Sequence, residues 1–144
     1  MKTSVEDEPV EELSTDECWT LLGLEEFGRL AFRLVDEVHL VPINYVADSA
    51  SLLFRTTSGN KLLAAALHSD VAFEIDWHDD ASAWSVVVRG QLRQLEEDEA
   101  HRADALPLRP WVQELKYDVV ELVPSAVTGR RFVLDRSAVA AHRG

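Results

Sequence analysis

One cysteine, one methionine, five prolines and six glycines are all that 144 residues contain of these types, and each scarcity excludes something. A lone Cys18 can close no intramolecular disulfide. The five histidines, at 39, 68, 78, 101 and 142, show no metal-ligand spacing, so no metal site is expected. His78-Asp79-Asp80 could face a cation, but it reads first as a solvated turn. The chain also lacks a Gly-x-Ser-x-Gly elbow and a Gly-x-Gly-x-x-Gly loop, which removes the usual hydrolase and dinucleotide signatures. No pair of carboxylates stands out as an acid–base dyad, and no catalytic side chain is nominated. Positive charge is scarce as well. Against 26 Asp and Glu stand 14 Lys and Arg, a net charge of −12 that argues against nucleic acid or an anionic membrane as partner. No apolar run approaches transmembrane length, and the N-terminus has no charged-then-apolar leader. A soluble, cytoplasmic protein is expected.

What is present is an ordinary globular composition, 47% hydrophobic and 28% charged, at the length of one domain. Residues 1–12, with five carboxylates around one proline, read as an acidic tail, and residues 13–144 as a single domain. Ser14 and Glu17 have capping-box spacing for a short helix ending near Gly23. From Gly28 the period becomes strand-like, with Leu30, Phe32 and Leu34 alternating against Arg29, Ala31 and Arg33. Strands are expected over 38–47, with Pro42 acceptable only at an edge or distortion, and over 51–56, 71–77 and 83–95. A helix is expected over 58–67, helical character over 96–103, an extended Pro-rich segment over 106–111, and last strands over 117–123 and 129–134. A strand-rich chain with short turns points to a mainly β, closed antiparallel barrel, although composition alone also allows an open sandwich.

The most informative stretch is Leu52-Leu53-Phe54-Arg55-Thr56-Thr57-Ser58-Gly59-Asn60-Lys61. Two cations and three hydroxyls meet there where a strand hands over to a helix. Such a junction is suited to an anion, and phosphate is its commonest occupant. Arg55 can bind phosphate oxygens bidentately, and Lys61 adds a point charge. The same residues would equally make a plain capped helix, with Ser58 as N-cap and two solvated cations.

Phe54-Arg55-Thr56-x-x-Gly59-x-Lys61-Leu62 resembles the phosphate-binding segment of the pyridoxamine 5'-phosphate oxidase-like family of FMN-binding split barrels. The likeness continues in order through Phe27-Gly28-Arg29-Leu30-Ala31-Phe32, Val41-Pro42-Ile43-Asn44-Tyr45-Val46, Val71–Asp76, Trp84–Gly90 and Val127–Arg131, roughly residues 13 to 134. It implies a split barrel, an antiparallel six- to seven-stranded Greek-key-like barrel. It further implies an FMN-binding flavoprotein, an FMN-dependent oxidoreductase acting on a small molecule and working as a homodimer with the cofactor at the interface. Arg55, Thr56, Thr57 and Lys61 would hold the FMN phosphate. Pro42 and Asn44 would lie beside the isoalloxazine, where a strand lacking one N–H leaves room for a flat ligand. Trp84 would wall the site, Trp111 would serve the interface, and Arg131, with Arg130, would come from the partner chain. Each also has a plainer reading: an edge strand, a core tryptophan, solvated arginines.

The residues that recognise pyridoxine phosphate in true pyridoxamine phosphate oxidases are not evident, so that specific activity is not expected. Relatives of this barrel type also use the deazaflavin F420 or bind haem. F420 carries a phosphate too, but its acidic tail calls for more cations than this chain offers. Haem would need an axial ligand, for which His39 and His142 are the candidates. A flavin-binding sensing module without turnover is the remaining alternative.

Overall fold

Ser14 starts the first helix, α1 (Thr15–Leu24), through a reciprocal pair of bonds: its Oγ accepts from the Glu17 N–H (3.1 Å), and its own N–H donates to Glu17 Oε1 (2.9 Å). The helix buries Cys18 and Leu22 and gives way to an extended Glu25 without a glycine cap. In the computed structural model the described residues are 10–57, 59–99, 101–104 and 117–134. Expectations for residues 105–116, Trp111 included, and for His142 lie outside them.

The strands follow as β1 (Val10–Glu12), β2 (Phe27–Leu34), β3 (Glu37–Asn44), β4 (Val46–Ala47), β5 (Leu52–Thr57), β6 (Asp70–His78), β7 (Ser82–Gln94) and β8 (Tyr117–Val133). Helix α2 (Lys61–Ala66) lies between β5 and β6, and a 3-10 turn (Glu97–Glu99) with α3 (His101–Asp104) follows β7. All ladders between these strands are antiparallel, in the spatial order β3-β2-β6-β7-β8-β5-β4, with β1 added to the far end of β8. This is the mainly β, curled split-barrel architecture expected from the sequence. In β2 the alternation is realised directly: Gly28, Leu30 and Phe32 face inward, while Arg29, Ala31 and Arg33 face out.

The sheet curls because one segment serves both of its edges. β3 pairs with β2 at one end of the order, and β4, one residue later, pairs with β5 at the other. Tyr45 is the corner between them. Its side chain is buried, its hydroxyl donates to the Leu22 carbonyl (2.6 Å), and its N–H donates to the Glu26 carbonyl (2.9 Å). Its ring meets Phe73 edge-on at 4.9 Å, and Phe73 in turn lies 5.4 Å from Phe54. Gly28 completes this packing, since a Cβ there would stand 2.4 Å from Phe73 Cζ and 2.5 Å from the Glu74 carbonyl oxygen.

Three expectations are corrected. Val10–Glu12, assigned to the tail, forms β1, where Glu11 faces Arg131 and Glu12 faces Arg130; opposite charges across a ladder stabilise an otherwise short pairing. The last two strands are one, β8, which continues through Pro124. Proline is tolerated there because the β7–β8 register shifts at Arg89/Gly90, opposite it. Helix α2 begins at Lys61 with Asn60, not Ser58, as N-cap: Asn60 Oδ1 accepts from the N–H groups of Leu62 and Leu63, both at 3.1 Å.

Candidate functional site

β5 carries Arg55 and Thr56 to the rim of the barrel, in register with Val119 and Asp118 of β8. Strand alternation sends these neighbours to opposite faces. Thr56 turns inward, 8% exposed, beside a cavity of about 50 Å³ bordered by Asn60, Leu63 and Asp118. That is room for about one water molecule. Arg55 is half-buried on the other face, Thr57 ends the strand, and Gly59 turns the chain at φ +81° into Asn60 and the exposed Lys61. Asn44, 8% exposed, ends β3 opposite Phe27. Continuing the β4–β5 register, Val46 opposite Leu53, back through Tyr45 sets Asn44 level with Arg55 of β5. Pro42 is exposed two residues before Asn44 on the same face of β3, at the open edge of the sheet.

Trp84 and Arg131 are held elsewhere. They face each other across the β7–β8 ladder, and Trp84 also faces Trp77. Arg131 lies twelve residues along β8 from Val119, the partner of Arg55, which is about 40 Å of extended strand. Its guanidinium stands 4.0 Å from Glu17 at the start of α1. Within one copy of the chain, the Arg55 group and the Trp84–Arg131 pair are therefore separate. His39, a candidate axial ligand, is half-buried against Phe32, with ring centroids 5.4 Å apart and planes 18° from parallel.

Two charged clusters go beyond what the sequence reading nominated. On the outer face beside Pro42, Arg29 Nη1 reaches both Glu74 Oε1 (2.8 Å) and Asp76 Oδ2 (3.2 Å). This is the carboxylate pair that the sequence reading did not find. Alternation on β6 puts Glu74 and Asp76 on one face, and only that spacing could have revealed it. Burial, then the hydrogen bond and negative charge of Asp76, push the Glu74 carboxyl up to about 7, while Arg29 opposes the shift.

The second cluster surrounds Glu121, 5% exposed. It accepts from Ser51 Oγ (2.6 Å), Arg93 Nε (2.8 Å) and Arg102 Nη2 (2.7 Å). Arg93 also grips Glu99 with two bonds of 2.8 and 2.6 Å, and Arg102 Nε donates to Asp48 (3.0 Å). Burial alone would raise the Glu121 carboxyl, but hydrogen bonds from Arg102 and Ser51 with two nearby positive charges hold it below its ordinary value. The Arg93 hydrogen bonds draw Glu99 down to about 2. These ties fix the α3 region against β5 and β8, two residues along β8 from Val119, the partner of Arg55.

A curled antiparallel sheet whose two margins are joined through the Tyr45 corner is a split-barrel architecture. Residues 14–131 match the profile of the pyridoxamine 5'-phosphate oxidase family, and the chain belongs to that family. It is 32% identical to the Mycobacterium tuberculosis protein Rv0080 over 133 residues, covering 88% of each chain. It also resembles the solved structure of a Corynebacterium glutamicum protein named after the same oxidase, at 38% identity and a TM-score of 0.79, covering 90% of this chain and 98% of that one. An FAD-binding protein from Mycobacterium smegmatis is similar at 40% identity and a TM-score of 0.76, covering 85% of this chain and 99% of that one. No helix among the described residues is long and apolar enough to cross a membrane.

Proposed function

We infer that this protein binds a flavin nucleotide, FMN, between two copies of the chain and uses it as an oxidoreductase on a small molecule. The observation that supports this most is the β4–β5 register, which continued through Tyr45 sets Asn44 level with Arg55, in a chain 40% identical to an FAD-binding protein. The Arg55 guanidinium and the Lys61 ammonium suit a phosphate, offering hydrogen-bond protons and two positive charges. FMN and FAD both carry the 5'-phosphate that Arg55, Thr56, Thr57 and Lys61 would hold. Pro42 donates no N–H from the open edge of β3, which leaves that edge to a flat ring, with Asn44 as its polar neighbour. When bound, the flavin supplies hydride or single-electron transfer, and the protein binds, orients and tunes it.

Trp84 and Arg131, remote from Arg55 within one copy, fit a site completed by a second copy. Phe27, Leu40 and Pro42 give that copy an exposed apolar surface beside Asn44. The dimer should bury more than about 2,000 Å² in total. Sedimentation tests it: a cofactor-loaded monomer at micromolar concentration overturns the two-copy site.

The absorption spectrum of the purified protein separates flavin from F420 and haem. Arg55→Ala and Lys61→Ala should each weaken FMN about ten- to a hundredfold and riboflavin far less, because a charge-assisted hydrogen bond contributes about 1.5–3 kcal/mol and riboflavin has no phosphate. Equal losses for both ligands would place these cations away from the phosphate.

A further inference from the structure

A second cation-lined cleft opens on the outer face of the sheet, away from β5. Its volume is about 490 Å³, within the range of small-molecule sites, and Ala31, Arg33, Val38, Ala72, Arg89 and Ser125 lie along it. The register explains its shape. Leu40, Ala31, Ala72 and Arg89 form one row across four strands, and Arg33 follows Ala31 on the same face of β2. Ala31 and Ala72 make a low floor; Arg33 and Arg89 stand at its sides. Two strand spacings, about 10 Å, separate β2 from β7, a span that two arginine side chains can close. The β7–β8 register shift falls at Arg89/Gly90, and a Cβ at Gly90 would stand 2.0 Å from the Val123 carbonyl oxygen. The bulge is thus built into the backbone, and it sets where Arg89 stands.

Four other arginines of the chain are held by carboxylates, and among the described residues this pair is not. In a chain of net −12, Arg29, Arg93, Arg102 and Arg131 each face a carboxylate. Arg33 and Arg89 form no ion pair among the described residues. Asp70, the one carboxylate bordering the cleft, accepts from the Gln91 amide (3.2 Å) and forms no ion pair with either arginine among the described residues. Two guanidiniums beside one cleft favour an anion with enough oxygens for both planar forks, which a phosphoryl group has and a monocarboxylate lacks. We propose that this cleft binds a small organic phosphate, its phosphoryl oxygens between Arg33 and Arg89 and its body over Ala31 and Ala72. The site is distinct from the β5 junction. Ser125 lies six residues along β8 from Val119, the partner of Arg55, or about 20 Å of strand.

Calorimetric titration of the full chain with pyrophosphate, AMP and citrate tests this, first with saturating FMN and then in an Arg55→Ala/Lys61→Ala background, so that the cations of the β5–α2 junction do not contribute. Pyrophosphate and AMP should bind in both settings. Arg33→Gln and Arg89→Gln should each weaken them about tenfold or more, and the double variant should abolish binding. The spectrum of bound flavin should not move in either variant. Absence of pyrophosphate binding at millimolar concentration, or unchanged affinity in the double variant, overturns the proposal. Citrate binding as tightly as pyrophosphate overturns the phosphate assignment. Variants that alter sedimentation but not pyrophosphate affinity show instead that a second copy of the chain closes the cleft. A sample that takes up no flavin yet binds pyrophosphate through Arg33 and Arg89 refutes the flavin reading alone.

Discussion

Replacing Glu121 by glutamine keeps the shape of a buried side chain and removes its charge. Three arginine nitrogens approach this carboxylate, Arg93 Nε at 2.8 Å, Arg93 Nη2 at 2.7 Å and Arg102 Nη2 at 2.7 Å. A charge-assisted hydrogen bond contributes about 1.5–3 kcal/mol and a neutral one about 0.5–1.5, so each contact weakens by about 1 kcal/mol. Both arginines are partly exposed and keep Glu99 and Asp48 as partners, which lowers the sum. Glu121→Gln should therefore destabilise the protein by about 2 kcal/mol at pH 7, read as a shift in urea midpoint with unchanged slope. The sign with pH follows from the lowered folded-state value of Glu121. Its contribution is complete above the ordinary carboxylate range and is lost as pH falls through the folded value. The gap between wild type and variant should close as the solution is acidified. A difference below about 0.5 kcal/mol at pH 7, or one that stays constant into acid, would refute the claim that this charge holds the α3 region down.

Gly28→Ala should cost about 2–3 kcal/mol in urea unfolding, because its Cβ would overlap the Phe73 ring and a ladder carbonyl that cannot yield without breaking the β2–β6 pairing; a loss under 0.5 kcal/mol would mean that the sheet adjusts freely. Glu74 behaves oppositely to Glu121. Its folded value near 7 lies above the ordinary 4.5, so its contribution is present below about 4.5 and is lost as pH rises toward 7. Glu74→Gln should remove that slope and stabilise the protein at pH 8 by on the order of 1 kcal/mol after solvent screening; identical pH profiles would show that Glu74 titrates normally. Val35, 90% exposed at φ +57°, holds a left-handed conformation that β-branched residues resist. Val35→Asn should raise the melting temperature, with a gain of about 0.5–1 kcal/mol, and a lower one would refute the strain.

Local rules were legible in the chain. The Ser14–Glu17 box, the alternation of β2 and the edge position of Pro42 each depend on residues a few places apart. Asn60 displaced Ser58 as N-cap because Gly59 lets the chain turn one step later, so that the Asn60 side chain reaches two free N–H groups. The continuity of β8 was hidden by Pro124, whose tolerance rests on a bulge at Ser125 beside it, where β8 has one more residue than β7 between Arg89 and Gly90. Glu121 looked like any strand carboxylate. Its partners come from 28 and 19 positions away through Arg93 and Arg102, and no window of sequence contains that meeting. At the site, residue types announced a phosphate-suited junction, while the separation of Arg55 from Arg131 required the length of β8.

The Tyr45 corner has a consequence for how the chain could be rearranged. The sheet is closed at this point by the covalent backbone, with one segment held at its two opposite margins. A circular permutant with new termini at the Val35–Asp36 turn would leave that closure intact. One opened between Asn44 and Val46 would keep every ladder yet untie the margins, and the barrel would become a ribbon free to spread. Asn44 and Arg55 would then part company even though neither had been altered. In this molecule the position of a single peptide bond decides whether a surface is a rim or two unrelated ends.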